Sequence, residues 1–524
     1  MLTLMVDLDA ADAHPDLNRV VELAQVFKAN QQPFTLMTAK AAPDLQFMLH
    51  QVGLDTVPLV RLYDQLLGIP EPIGTPLQLA EVPLPADLLP VYAWPNVNYF
   101  DGERLAKTVS LHPLGFVWQI TDYEPTGTRR VAQYDDRGNR LYVDYREQGN
   151  GLVKREWFDA QDQLVMTEDR QGAVTMAPQV ASRFAFSHYP DRSAVLAEVM
   201  DRWVMAASRQ PTLVATMTPA NLALRRQLTL FPQVIFLAAA NTELKVVDRL
   251  GVQAADQVVL PTQEDRRLFL QQFQNAADWQ DQTQAILPYP TTLSLGHSNE
   301  VPTMMTYWFV GDADEAEFRQ TLEQMLTMLQ KNRAKTVMIE ADDDARVEAG
   351  QRVVAHWLET KLGVDLQSED YQNVMAYLKK KQANELTPAE RKAGKSLRES
   401  AGWGTASAAY NLQQRVVLNP PLPPEDQEAA MSAARVYLDT SKLTNLRLQM
   451  LAISNAIPQL VRRANDFIED HQTGIVVATP DQIVPGLSYF LDTLHHWNTA
   501  QVGNAALLEA NTATHIMNEW KKVI

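Results

Sequence analysis

Asp342, Asp343 and Asp344 stand consecutively in the stretch ADDDA. Three carboxylates could hold a hard divalent cation, which prefers oxygen ligands. They also lie between a strand-like run and a helical one. An aspartate there accepts from the free amides of the first helical turn, and N-capping is the expected role. His495 and His496 are adjacent, so they leave a helix in different directions, and no His-x3-His pair exists to hold zinc from one face. Gly296–Glu300 reads GHSNE, which lacks the second glycine of a nucleophile elbow. His14, in MVDLDAADAHPD, could be offered as a base, but its place at a helix start predicts a capping or flanking role. The chain has no Walker loop, no Gly-x-Gly-x-x-Gly fingerprint and no cysteine. The last absence removes disulfides, thiolate zinc sites, iron–sulfur clusters and cysteine nucleophiles together. These residues assign no catalytic, cofactor-binding or metal-binding site, and no cofactor is expected.

Charge narrows the partners. The chain carries a net charge of −17, with 21% charged and 46% hydrophobic residues. A nucleic-acid binder shows a basic face, so none is expected here. The stretch Leu378–Lys395, LKKKQANELTPAERKAGK, is basic against this background. It reads as a solvated helical face, with contact to an acidic partner or anionic lipid as the second reading. The N-terminus lacks the basic start and apolar run of a signal peptide, and no window is apolar enough to span a bilayer. A cytoplasmic protein is expected, with peripheral contact at the inner face of the membrane as a further expectation.

The elements that would position these residues fall into blocks. At 524 residues the chain exceeds one core, since single cores stop growing near ~250–300 residues. LTLMVDL and FTLMTA read as strands, and Leu17, Val20, Val21, Ala24 and Phe27 keep helical spacing between them. PDLQFMLHQVG reads as a helix with Pro43 at its start and Gly53 past its end. This alternation predicts a parallel sheet with helices on its faces. From about Tyr99 to Met176 the period shortens. FDGERL, YDDRGNRLYV and WFDAQDQLV share an aromatic residue, an aspartate, a short turn and an aliphatic residue. Each predicts a hairpin, and together they predict an antiparallel meander. The α/β alternation then returns with SAVLAEVMDRWVMAA, TLVATMT, QVIFLAAA and QVVLP. After the linker ILPYPTTLSLGHSNE a second α/β set begins at MMTYWFVG.

The predicted fold class is therefore α/β and GT-B-like: two Rossmann-like domains, the first carrying an extended antiparallel β-sheet insertion. The first domain is expected over 1–95 and 187–285, the insertion over 96–186 and the second domain over 286–510. Residues 511–524 form a terminal helix that should pack back on the first domain through Ile516, Met517 and Trp520.

Five stretches resemble one family: PDLQFMLHQVGLDTVPLVRLYDQLLGI, YDDRGNRLYVDYREQGNGLVKREW, ILPYPTTLSLGHS, AISNAIPQL and YFLDTLHHWN. It is the first accessory secretory protein of the accessory Sec system of Gram-positive bacteria. The resemblance runs from about Pro43 to Trp497 and rests on order and spacing. It implies a degenerate glycosyltransferase fold that does not catalyse. It implies work in a complex with the second and third accessory secretory proteins and the accessory SecA ATPase, to export a glycosylated serine-rich repeat adhesin. The meander would then be a docking surface.

The same resemblance says where a transferase would keep its donor site. Active relatives place cations after the first strand of the second domain, to meet a diphosphate. Here that place reads WFVGDADEAEF, with Asp312, Asp314 and Glu315, and an acidic helix start is the expected role. Active relatives also place two glutamates before a Gly-Ile-Pro-like turn. Counted back from Ala456-Ile457-Pro458, those positions are Leu443 and Leu451, which cannot accept a hydroxyl hydrogen bond. Nor does the first strand run into a glycine-rich loop, since LMVDLDAADAHPD has no glycine. An active transferase using a UDP-GlcNAc-type donor and a lectin-like glycan binder remain the alternatives.

Overall fold

The computed structural model describes residues 1–524 except 9–18, 71–73, 86, 241–251, 254, 274–275 and 295. The chain forms two compact units, Met1–Pro288 with Met517–Ile524, and Tyr289–Ile516. The boundary at Pro288 falls inside the proline-containing linker.

The first unit is built on a seven-stranded parallel sheet. From edge to edge its strands are Thr283–Ala285, Gln257–Leu260, Gln233–Leu237, Thr212–Thr216, Leu2–Met5, Thr35–Thr38 and Leu59–Arg61. Strands covered on both faces read as continuous apolar runs, and Leu2–Met5 is buried at every position. The helix Arg19–Ala29 buries Val20, Val21, Ala24 and Phe27, as their spacing predicts, and also Leu23 and Val26, while Leu17 lies outside the described residues. Arg192–Ala206 begins at Asp191, whose side chain accepts from the Ala194 amide.

Between the first and second halves of that sheet lies a ten-stranded antiparallel sheet in strict chain order, from Leu89–Ala93 to His188–Tyr189. It begins before the expected start at 96, because Pro90 and Pro95 made Leu89–Ala93 read as connection; proline is tolerated on an edge strand. It ends just past 186 for the converse reason, since His188–Tyr189 is too short to show alternation. Six of the nine turns share one design. His112–Phe116, Glu124–Thr128, Asp135–Asn139, Glu147–Gly151, Asp159–Gln163 and Asp169–Ala173 each pair the first residue's amide with the fifth residue's carbonyl. The fourth residue has positive φ in every case, as a type I turn with a bulge requires. Where the first residue is aspartate, its Oδ1 accepts the third and fifth amides: Arg137 and Asn139 at Asp135, Gln161 and Gln163 at Asp159, and Gln171 and Ala173 at Asp169. Half of the sheet joins the main core through Leu141, Trp157, Val165 and Met166. The other half packs Val97, Tyr99, Val109, Val117 and Val143 with Val82, Leu77 and Leu84 of the proline-rich segment.

The second unit holds a six-stranded parallel sheet in the order Val416–Asn419, Lys335–Glu340, Met304–Phe309, Val436–Asp439, Gln459–Val461, Gly474–Val476. The charged region forms the helices Glu369–Gln382, Pro388–Glu399 and Trp403–Gln413. The chain ends on the helix Ala513–Trp520, with Ile516, Met517 and Trp520 buried. Trp520 meets Phe27 edge-on at 5.7 Å, and Gln233 donates to the Val523 carbonyl at 3.0 Å.

Candidate functional site

In open α/β sheets, ligands bind beyond the carboxyl ends of the strands. In the second unit those ends carry Phe309, Glu340, Asp439 and Val461. The turn after Met304–Phe309 is drawn tight. Gly311 has φ +55°, and a Cβ there would lie 2.5 Å from Cβ of Ser441. The Lys442 amide donates to Asp312 Oδ1 at 2.7 Å, and Lys442 Nζ to Asp314 Oδ1 at 2.8 Å. Asp314 takes the N-cap place of the helix Glu315–Lys331 but makes no side-chain cap bond. Arg462 Nη2 donates to both carboxylate oxygens of Glu317, at 2.8 and 2.9 Å. So cations do stand here, from later in the chain than WFVGDADEAEF, and each faces a carboxylate of that acidic helix start. The Lys442–Asp314 pair is exposed and screened by solvent; the Arg462–Glu317 pair, with Arg462 largely covered, is the firmer one.

Beneath this surface lies a buried polar network that the sequence reading missed. Asp439 accepts from the Ser441 amide, the Ser441 hydroxyl, the Asn445 amide and the Tyr437 hydroxyl. Burial pushes its carboxyl up to about 6 against those donors. Glu340 accepts from the Tyr307 hydroxyl and, at 2.8 Å, from Gln427 Nε2. Burial and the Glu340 carboxylate hold the Tyr307 phenol well above its usual range. The signal was available: each carboxylate ends a buried strand, where an acid needs partners.

Leu443 is exposed in the turn that follows Asp439, and its carbonyl accepts from the Ser441 hydroxyl at 2.6 Å. Leu451 lies in the helix Leu446–Ser454, half-buried against the apolar cluster that includes Tyr307, Tyr437 and Leu448. Neither side chain offers a polar atom to a ligand. Asp343 caps Asp344–Leu362 through the Arg346 amide, and Asp342 pairs with the Arg346 guanidinium. His496 Nδ1 donates to the Tyr489 carbonyl and its ring stacks on the Tyr489 ring, while His297 bonds Ser432. His14 lies outside the described residues.

The first unit holds a cavity of about 850 Å³ where the strand order turns, between Leu2–Met5 and Thr212–Thr216. Asp7 follows the first of these strands, and its Oδ2 accepts from Thr216 Oγ1 and Asn221 Nδ2. Asn221 is fixed by the helix Pro219–Arg225, which Thr218 caps. Lys40 reaches the Asp7 carbonyl. The antiparallel sheet supplies the opposite wall. Arg155 and Trp157, two apart on one strand, share a face. The Trp157 ring stacks on Tyr63 at 4.7 Å, and the Arg155 guanidinium lies 4.0 Å from the Tyr142 ring centroid. Asp144 binds Arg155 by two bonds and, despite desolvation, holds it above its usual range. Glu168 pairs with Arg192 at 3.1 Å. Trp157 is fully buried, yet its Nε1–H has no acceptor among the described residues. Aromatic faces, paired ions and an amide around one hollow suit a neutral polyhydroxylated ligand. None of these residues was proposed from sequence.

Comparison with known proteins gives the following. A family model for the accessory Sec system protein that is the first accessory secretory protein matches residues 14–524. The protein of that name from Staphylococcus aureus is 32% identical over 99 residues, a match spanning 19% of this chain and 19% of that relative's length. A crystal structure of accessory secretory proteins 1, 2 and 3 from Streptococcus pneumoniae matches with a TM-score of 0.71 at 15% identity, over 100% of this chain and 98% of that one. The pneumococcal O-GlcNAc transferase GtfA, in complex with UDP and GlcNAc, matches with a TM-score of 0.65 at 13% identity, over 100% of this chain and 98% of that one. The fold is GT-B-like, with mixed parallel and antiparallel sheets.

Proposed function

The chain belongs to the family of the first accessory secretory protein of the accessory Sec system, and from that premise we propose that it serves export by binding rather than by glycosyl transfer. It helps deliver a glycosylated serine-rich repeat adhesin to the accessory SecA motor. It does so beside the second and third accessory secretory proteins, the proteins with which the pneumococcal structure is described.

The observation that carries the non-catalytic reading is the ion-paired state of Lys442 and Arg462. A nucleotide diphosphate needs uncommitted cations; a carboxylate beside each adds repulsion of about 4 kcal/mol per close charge pair at an effective dielectric near 20. Leu443 and Leu451 add no acceptor for sugar hydroxyls. For glycan binding, the supporting observation is the cavity of the first unit, with its aromatic residues Tyr63, Tyr142 and Trp157 and the Asn221 amide. No helix among the described residues is long and apolar enough to cross a membrane. A cytoplasmic place, peripheral at the inner face of the membrane through the complex, belongs to the same proposal.

Calorimetric titration with UDP-GlcNAc, and separately with GlcNAc, tests this. The expected result is no nucleotide-sugar binding and weak binding of GlcNAc or its glycosides. Micromolar binding of UDP-GlcNAc would instead favour an active transferase and call for transfer assays.

A further inference from the structure

A carboxylate is the strongest hydrogen-bond acceptor a side chain offers, and its two oxygens can be put to different uses. Two carboxylates in the cavity of the first unit are held by one oxygen each. Asp7 is half-buried and lines the hollow. Its Oδ2 accepts from Thr216 Oγ1 at 2.9 Å and from Asn221 Nδ2 at 2.6 Å. Both donors are neutral, and both bonds fall on the same oxygen. Oδ1 receives no hydrogen bond among the described residues. Lys40 Nζ reaches the backbone carbonyl of Asp7, not its carboxylate.

On the facing wall, Arg155 stands opposite Glu168 on one side of its strand and opposite Asp144 on the other. Its guanidinium turns to Asp144, with bonds of 2.5 and 3.0 Å, and gives Glu168 none. Glu168 is only 8% exposed. Its Oε2 is enclosed, 3.1 Å from Arg192 Nε as an ion pair but off the line of a hydrogen bond. Arg192 Nη1 goes instead to the Tyr63 hydroxyl, at 3.4 Å. Because Glu168 lines the hollow with Oε2 enclosed, Oε1 is the oxygen turned towards it, and Oε1 accepts nothing among the described residues. Buried carboxylates normally fill their acceptor positions. Two that each leave one oxygen unfilled, on facing walls of a cavity of about 850 Å³, mark where the donors of a ligand belong.

We propose that Asp7 Oδ1 and Glu168 Oε1 are the specificity-determining acceptors of this cavity, each taking a hydroxyl of one neutral sugar. That the donors belong to a sugar rests on the proposed reading of the cavity as a glycan site. A hydroxyl donates without bringing charge. A phosphate, sulfate or carboxylate at either place would meet a like charge. An ammonium is disfavoured too, since Arg155 and Arg192 flank Glu168 and Lys40 flanks Asp7. A sugar that lacks one of the two hydroxyls leaves a carboxylate oxygen desolvated and unpaired, which is where discrimination arises.

Amide variants separate contact from support. Asp7→Asn can keep its carbonyl on Thr216 and Asn221 and place its NH2 in the hollow, and Glu168→Gln can do the same beside Arg192. Each exchanges an open acceptor for a donor while the committed oxygen keeps its partners. The probes are the methyl glycoside of GlcNAc and its 3-deoxy, 4-deoxy and 6-deoxy analogues, followed on the full chain by ligand-detected NMR. The wild type should bind two of the three analogues about tenfold more weakly than the parent, the worth of a hydrogen bond to a charged group. Asp7→Asn should erase that difference for one of the two and Glu168→Gln for the other, which is the coupling a double-mutant cycle reads. Equal binding of all analogues by the wild type would overturn the proposal and leave the glycan reading intact, whether or not a variant folds. Variants that bind the parent as tightly as the wild type would overturn it as well. So would variants that weaken every probe by one common factor, the mark of a structural role. No binding of any probe by the wild type would overturn the glycan reading, and this proposal with it.

Discussion

Asp439 is fully buried and accepts from Ser441, Asn445 and Tyr437, yet its carboxyl is pushed up to about 6 from an ordinary 3.8. Between those values the folded chain holds a proton that the unfolded chain releases. Stability from this group is therefore fully present below about pH 4, falls as pH rises towards 6, and is flat above it. Asp439→Asn removes the titration. Wild-type stability relative to this variant should be higher at pH 4 than at pH 6.5 by about 3 kcal/mol at most, read from urea unfolding at both values. A constant difference would mean that the donors, not burial, set this group. Trp157 poses a second question of the same kind. Trp157→Phe keeps the stack on Tyr63 but deletes the unpartnered Nε1–H. Deleting a buried donor that has no acceptor should raise stability by about 1–3 kcal/mol, read from urea unfolding. A loss of stability would mean instead that the indole N–H meets a buried water in the folded chain.

At the scale of elements, the hairpins show what was legible. An aspartate with a residue of positive φ three positions on marks Asp135, Asp159 and Asp169, because the carboxylate caps two amides and the fourth position tolerates left-handed backbone. The sequence carries that chemistry locally, so the meander could be read. It does not carry burial. Asp135 is 1% exposed and also grips Arg137, which forks onto Asp64 at 2.7 and 2.8 Å. Asp169 makes the same turn bonds at the surface. Asp135→Ala strands a buried guanidinium between fewer partners and should cost about 3–5 kcal/mol. Asp169→Ala should cost only about 1 kcal/mol. Chemical denaturation of both variants checks the ratio; similar losses would mean that the turn, not the ion network, docks this sheet. The cavity of the first unit was illegible for a related reason. Asp7, Trp157, Arg192 and Asn221 come from four distant stretches, and each alone reads as a strand end, a core aromatic or a helix start. Leu59–Arg61 and Leu62–Leu67 were hidden differently: strand passes to helix with no turn residue between them to mark the change.

At the scale of the whole molecule, chain order and spatial order part company. The first unit opens the chain and also takes its last residues, Met517–Ile524. Helical periodicity and the apolar spacing of NTATHIMNEWKKVI were enough to expect a packed terminus; its partners came only from the fold. Met517, Trp520 and Val523 are buried, Trp520 against Phe27, and the Val523 carbonyl accepts from Gln233. Each such side chain contributes about 1.5–3 kcal/mol when fully buried, so the segment is a substantial part of this unit's stability. Deleting Met517–Ile524 should therefore act on one unit. Amides of Arg19–Ala29 and Gln233–Leu237 should lose hydrogen-exchange protection by tenfold or more, while those of Met304–Phe309 and Val436–Asp439 keep theirs. Local opening of this kind is expected where two cores unfold independently. Equal loss in both units would show instead that the two cores unfold as one, and that the terminus stabilises the chain as a whole rather than the unit it joins.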